Sequence, residues 1–256
     1  MLEFFQDPKV AEQVQYLLHN VPYAIWETIY STVLATFFAY IIGLPLGIIL
    51  VTGEKGGIRP LPSPLMKLLN IIINILRSVP FLILMVVVFP LARVIVGTSI
   101  GTKASIVPLT IAAFPFVARL VEASLREMDG GVIEAAQAMG CSTFQVIWKV
   151  ILPESLPSLL TSFTTAFVTI LGYGAMAGAI GAGGLGNMAL NRGYTRHMMV
   201  VLYVSVIFLV ILVQVFQSLG GHFAAALDRR NRSPKSLTRA ARAHADKNRR
   251  SGDPTL

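Results

Sequence analysis

Few residues in this 256-residue chain are of types that do covalent chemistry, and their spacing excludes most of it. His19, His197, His222 and His244 are scattered, with no metal-ligand spacing. Cys141 is the single cysteine, so neither an intrachain disulfide nor a cysteine metal cluster can form. No G-x-x-x-x-G-K-[ST] run is present to cradle a nucleoside triphosphate, so the chain is not expected to hydrolyse ATP. Gly181-Ala182-Gly183-Gly184-Leu185-Gly186 fits G-x-G-x-x-G. A dinucleotide site needs that run between a strand and a helix, however, and here it follows a long apolar stretch, so that reading is rejected. What remains are charges inside apolar runs. Arg77 either marks a polar pathway or snorkels to an interface, and Glu27 is read as an interfacial group. Tyr173 and Met176, three apart, can share one helix face.

These residues need an unusual setting. Hydrophobic residues make up 54% of the chain and charged residues 13%, against roughly 25% charged in an average soluble domain. A soluble chain of this size could not build its surface from so few charges. The apolar residues also cluster into runs that reach the roughly 20 residues needed to cross a bilayer. The expected architecture is therefore an all-α membrane protein with about five transmembrane helices. The spans are read at 23–51, 68–96, 104–125, 158–180 and 198–219. Pro45, flanked by Gly43 and Gly47, predicts a kink near the end of the first. In the second, 78–96 is long enough to cross alone, leaving 68–76 for the interface, and Pro90 with Arg93 predicts an irregular far end. Residues 1–22 show helical spacing at Val10, Val14, Leu17, Leu18 and Val21, which suits a short interfacial helix as well as a frayed terminus. The start lacks the basic, small-residue pattern of a cleaved signal peptide, so it is expected to stay attached.

Net charge is +8, and residues 228–256 carry nine Lys or Arg against three Asp, a net +6. That basicity belongs to a tail read as disordered, and no nucleic-acid partner is inferred from it. Segments 52–67, 119–157 and 220–256 together hold 15 of the 21 basic residues, whereas the alternate segments hold 5. The positive-inside rule then places the N-terminus out and the C-terminus in. Without the tail the contrast falls to 6 against 5, so the orientation needs independent support.

Residues 126–157 supply it. Ala-rich 132–139 is a good helix former, Gly140 can provide a left-handed residue past its end, and Ser142 with Gln145 fits a capping box for a second helix. Pro153 and Pro157 are expected to end the unit before the fourth span. Two short helices then form a hairpin between spans, either a rigid force-transmitting element or a solvated helical loop.

The pattern Glu134-Ala135-Ala136, Gly140, Leu152-Pro153 resembles the EAA loop of ABC-importer permeases, departing only where Val150 stands in place of Ile. Arg77-Ser78-Val79-Pro80-Phe81, Arg93 to Gly101, Gly172-Tyr173-Gly174-Ala175-Met176 and Gly181 to Gly186 extend the resemblance, over about 22–222, to the branch serving D- and L-methionine import in bacteria. The resemblance implies a type I importer permease fold, a homodimer in the inner membrane, and a cytoplasmic loop at 126–157 whose coupling helix docks in an ABC ATPase subunit. It implies an extracytoplasmic substrate-binding protein, and ATP with Mg²⁺ held by the ATPase rather than by a cofactor site in this chain. By the same resemblance Glu134, Ala135, Ala136, Gly140, Leu152 and Pro153 couple to the ATPase, and Tyr173, Met176 and Arg77 lie on the pathway or gate. The implied division is an extracytoplasmic segment 1–22, a permease domain 23–222 and a basic cytoplasmic tail 223–256. Another amino acid or a short peptide on the same machine stays open. An ion-coupled secondary transporter predicts intramembrane carboxylates, which the spans almost lack beyond Glu27 and Glu122, and a scaffold leaves the hairpin unexplained.

Overall fold

The computed structural model describes residues 8–227, all of whose regular elements are helical. The expectations for residues 1–7 and for most of the basic tail lie outside the described residues. The first helix, α1 (Pro8–Thr52), is 45 residues long, which at 1.5 Å per residue is about 68 Å, twice the hydrocarbon thickness. Residues 8–22 are therefore neither frayed nor a separate interfacial helix. Their apolar positions have a partner: Leu17, Val21 and Ala24 bury against Leu185, Met188 and Val201. Gln13 Oε1 also accepts from the Val200 amide at 3.0 Å, and Arg192 lies over the Tyr16 ring.

The central helix is α4 (Thr102–Arg126). It meets α1 along small residues spaced four apart, Ala35, Ala39, Gly43 and Gly47. Ala35 and Ala39 are fully buried. A Cβ on Gly43 would lie 2.7 Å from Val117 Cγ1, and one on Gly47 would lie 2.6 Å from Val121 Cβ. The glycines flanking Pro45 thus serve close helix approach, which lets two backbones gain dispersion contacts in lipid. The α1 helix runs through Pro45 to Thr52.

Between them, α2 (Ser63–Ser78) and α3 (Phe81–Val96) are bent by 107° at a break over Val79 and Pro80. Pro80 cannot continue α2, because it lacks the amide and forces the preceding residue to extended backbone; Val79 has ψ 127°. The far end of α3 stays helical through Pro90 and Arg93 and stops at Gly97, which takes φ 84° and donates its N–H to the Arg93 carbonyl. Counting the bent pair as one, the described residues hold five segments long and apolar enough to cross a membrane.

After α4 come α5 (Gly130–Ala138), α6 (Thr143–Val146), a π-helical turn Ile147–Ile151, α7 (Leu152–Glu154) and α8 (Leu156–Ala177). A 3₁₀ turn Gly178–Ile180 leads to α9 (Gly184–Asn187), the π-helical Met188–Tyr194 and α10 (Met199–Leu227). The last helix continues to Leu227, past 223, the expected start of the tail.

Candidate functional site

The hairpin is built as its composition requires. Asp129 caps α5 by accepting from the Gly131 amide at 2.9 Å. Gly140 takes φ 79°, a left-handed value that costs glycine least. The capping box is complete: the Ser142 amide donates to Gln145 Oε1 at 2.8 Å, and the Gln145 amide donates to Ser142 Oγ. The second helix ends between Pro153 and Pro157, before the fourth span, as expected. The chain stays helical from Thr143 to Glu154, turns at Ser155 and enters α8 with Pro157 in its first turn, where no intrahelical donor is lost. Pro153 has no amide to donate, and the Leu152 amide before it closes the π turn by donating to the Ile147 carbonyl.

Packing divides the motif residues in two. Ala136 is 3% exposed and shares one core with Val146, Ile151, Leu109, Val117 and Ile170. Leu152 is half-buried against the same core, while Glu134, Ala135, Gly140 and Pro153 are exposed. The hairpin therefore moves with α4 and α8 rather than swinging freely. Its tip is apolar: Met139, Phe144 and Trp148 are 77%, 68% and 59% exposed, and the two rings stand 6.1 Å apart. Sequence reasoning passed over these residues; the signal available was an i,i+4 aromatic pair beside the Glu134 motif. Exposed aromatics grouped on an element between spans mark an interaction surface.

A charge network braces the hairpin's base. Arg119 donates to Glu122 Oε2 at 2.7 Å, to Asn70 Oδ1 at 2.7 Å and to Asn74 Oδ1 at 3.1 Å. Arg126 bonds the other Glu122 oxygen at 2.9 Å and Glu54 Oε2 at 2.9 Å. The Arg126 hydrogen bond holds the Glu54 carboxyl below its usual range. The network ties α2 and the loop after α1 to α4, so α2 is fixed to the bundle by its polar face.

Glu27, half-buried, has specific partners at the start of α4 and in the glycine-rich run. It accepts from Thr102 Oγ1 at 2.5 Å and from the Gly184 amide at 2.8 Å, while neighbouring Thr28 Oγ1 accepts from the Leu185 amide at 2.9 Å. Gly183 and Gly184 take φ 81° and 72°, and a Cβ on Gly184 would lie 2.7 Å from Thr28 Oγ1. The glycine-rich run is thus a re-entrant segment docked on α1 and the start of α4. Glu27→Ala removes both acceptors and leaves the Gly184 amide unpaired, an expected loss of about 1.5–3 kcal/mol for hydrogen bonds to a charged group. Glu27→Gln, which still accepts, loses less. Thermal unfolding of the purified protein in detergent separates the two, and equal melting for Glu27→Ala and wild type would remove this role.

Two of the three predicted pathway residues come together. Arg77 and Tyr173 line one cavity of about 250 Å³ with Phe81, Leu84, Ala112 and Phe116. Tyr173 stacks on Phe81 at 4.6 Å and 7°. Met176 does not reach this cavity and is 51% exposed on another face of α8. Gly174 and Gly178, four residues apart, differ in their surroundings. Gly174 has open space around it, while Gly178 and Gly186 press backbone on backbone, Gly178 against Gly186–Asn187 and Gly186 against Ala175.

A five-span helical bundle with a hairpin rooted in its core and tipped with exposed aromatics is the design of a transporter's membrane subunit, and its fold is that of type I ABC-importer permeases. The chain belongs to the family of binding-protein-dependent transport system inner membrane components, whose profile matches residues 43–233. It is 47% identical over 207 residues, 81% of this chain and 92% of the relative, to the "Probable D-methionine transport system permease protein MetI" of Vibrio cholerae. It is 46% identical over 154 residues, 60% of this chain and 70% of the relative, to the D-methionine transport system permease protein MetI of Escherichia coli K12. An inward-facing structure of the MetNI methionine ABC transporter matches at a TM-score of 0.81 and 43% identity, over 83% of this chain and 98% of that one.

Proposed function

We propose that this chain is the permease subunit of an ABC importer that moves methionine inward across the bacterial inner membrane. The hairpin carries the proposal. Its exposed tip at Met139, Phe144 and Trp148, beside Glu134, Ala135, Gly140 and Pro153, offers an ATPase subunit a docking surface, while Ala136 and Leu152 transmit the displacement to the core. Two copies form the pathway, each bound to one ATPase that holds ATP and Mg²⁺. An extracytoplasmic binding protein delivers methionine to the outer face. ATPase closure moves the hairpins and switches the pathway from inward- to outward-facing, and no residue of this chain does covalent chemistry.

The hairpin and C-terminus then lie in the cytoplasm and the N-terminus outside, in accord with the excess of Lys and Arg on the hairpin side. In this assignment 1–22 is extracytoplasmic, 23–222 is the permease domain and 223–256 is a cytoplasmic tail. Arg77, Tyr173 and Met176 line the pathway or its gate. Met176 offers a flexible, exposed thioether one turn from Gly172, which has open space around it, and this suits a seal formed with a second copy.

The test is uptake of labelled methionine into vesicles containing this chain, co-produced with its cognate ATPase and binding protein. ATP-dependent accumulation is expected. Binding-protein-stimulated ATP hydrolysis without methionine uptake would keep the machine and replace the substrate by another amino acid or a short peptide. An assembled complex with neither activity would overturn the importer reading.

A further inference from the structure

The cavity between α2, α3, α4 and α8 lies at a depth where a charge is costly. The α4 helix spans about 37 Å at 1.5 Å per residue. Its cavity-lining residues Ala112 and Phe116 lie each about 15 Å from the nearer end of that helix. Arg77 lines the same cavity while part of its surface stays exposed, so it meets Ala112 and Phe116 at the level of the middle of α4, and an arginine within a spanning bundle is rare without a function. Among the described residues no carboxylate pairs with it. On its own helix Asn70 and Asn74 accept from Arg119, and neighbouring Ser78 donates its Oγ–H to the Asn74 carbonyl. The other walls are apolar or aromatic: Phe81 stacked on Tyr173, with Leu84 and Phe116. At about 250 Å³ the space falls below the roughly 300–1,000 Å³ of drug-sized sites and suits a single amino acid.

We infer that this cavity is a holding site for the transported amino acid inside the permease, with Arg77 binding the substrate carboxylate and the Phe81–Tyr173 pair contacting its apolar side chain. The inference rests on the importer reading and deepens it. An arginine offers a planar fork that fits a carboxylate through two hydrogen bonds, and a thioether gains from contact with aromatic ring edges. The bound carboxylate would neutralise the Arg77 charge during passage. The break at Val79–Pro80 sets this geometry, because it ends α2 with Arg77 in its last turn and starts α3 with Phe81.

The test uses the complete complex with its ATPase in proteoliposomes. Cys141→Ser removes the native thiol, and Ala112→Cys places a reporter in the cavity wall, with Val79→Cys as a second reporter should the first not import. The rate of thiol labelling is followed with methionine, with methioninol, which lacks the carboxylate, and with 4-(methylthio)butanoate, which keeps it and lacks the amine. Methionine and the butanoate are expected to slow labelling, and methioninol is not. Arg77→Gln is expected to raise the half-protecting methionine concentration about tenfold or more, the factor of one charge-assisted hydrogen bond. Protection by methioninol equal to that by methionine would overturn the assignment. So would undiminished labelling under methionine in a reporter that still imports it, which leaves the proposed function standing. A parent complex that hydrolyses ATP but imports no methionine would instead overturn the proposed substrate, and methionine as occupant with it.

Discussion

Reversing the charge of Glu134 with Lys is expected to abolish ATP-dependent uptake while the permease remains folded in the membrane. The two halves of that result have separate causes. Glu134 is exposed on α5, and no hydrogen bond or ion pair within the described residues depends on it, so the change costs the fold little; exposed substitutions stay mostly within ±0.5 kcal/mol. The same side chain stands on the hairpin that carries Phe144 and Trp148 at its tip. A wrong-sign charge facing a docked partner costs several kcal/mol, or more than tenfold in affinity. Uptake, ATP hydrolysis and co-purification of the ATPase, measured on one preparation, resolve the two effects. Wild-type uptake with the ATPase retained would remove Glu134 from coupling. Loss of the permease itself would mean that the residue supports the fold.

The largest effect on stability is expected at Gly178. A Cβ there runs into the backbone of Gly186 and Asn187, atoms that cannot swing aside as a side chain tip can. Overpacking a flexible neighbour costs about 1–3 kcal/mol, so Gly178→Val should exceed about 3 kcal/mol and deplete assembled protein. Gly186→Ala should follow, because its Cβ meets the backbone of Ala175. Gly174→Ala is the internal control. It has no neighbour within 4 Å, and alanine is the better helix former by about 1 kcal/mol. Thermal unfolding in detergent should rank Gly178→Val lowest, with Gly174→Ala at or above wild type. Equal melting of Gly178→Val and Gly174→Ala would contradict the close packing of α8 on α9.

The hairpin's details were legible because they are local. A glycine past a helix end and a Ser–Gln capping box act within a few residues, and both formed as read. The prolines also acted locally, since the second helix ends between Pro153 and Pro157, while the π turn before the one and the first-turn place of the other are not encoded in the prolines themselves. The partners of Glu27 were not legible because Thr102 and Gly184 lie 75 and 157 residues away.

By itself the amino-acid sequence determined the solvent and the class of fold: apolar runs too long and charges too few for a water-soluble surface, five spans, and a hairpin between the third and fourth. These follow from composition, periodicity and turn chemistry, which are properties of short stretches. Only the tertiary structure decided which glycines pack and which stand open, that α1 continues through residues 8–22, and that Arg77 and Tyr173 share a cavity from which Met176 is absent. Those outcomes depend on where distant helices cross. Crossing geometry comes from the fit of whole helix surfaces, such as Gly43 and Gly47 against Val117 and Val121, and no local spacing records it.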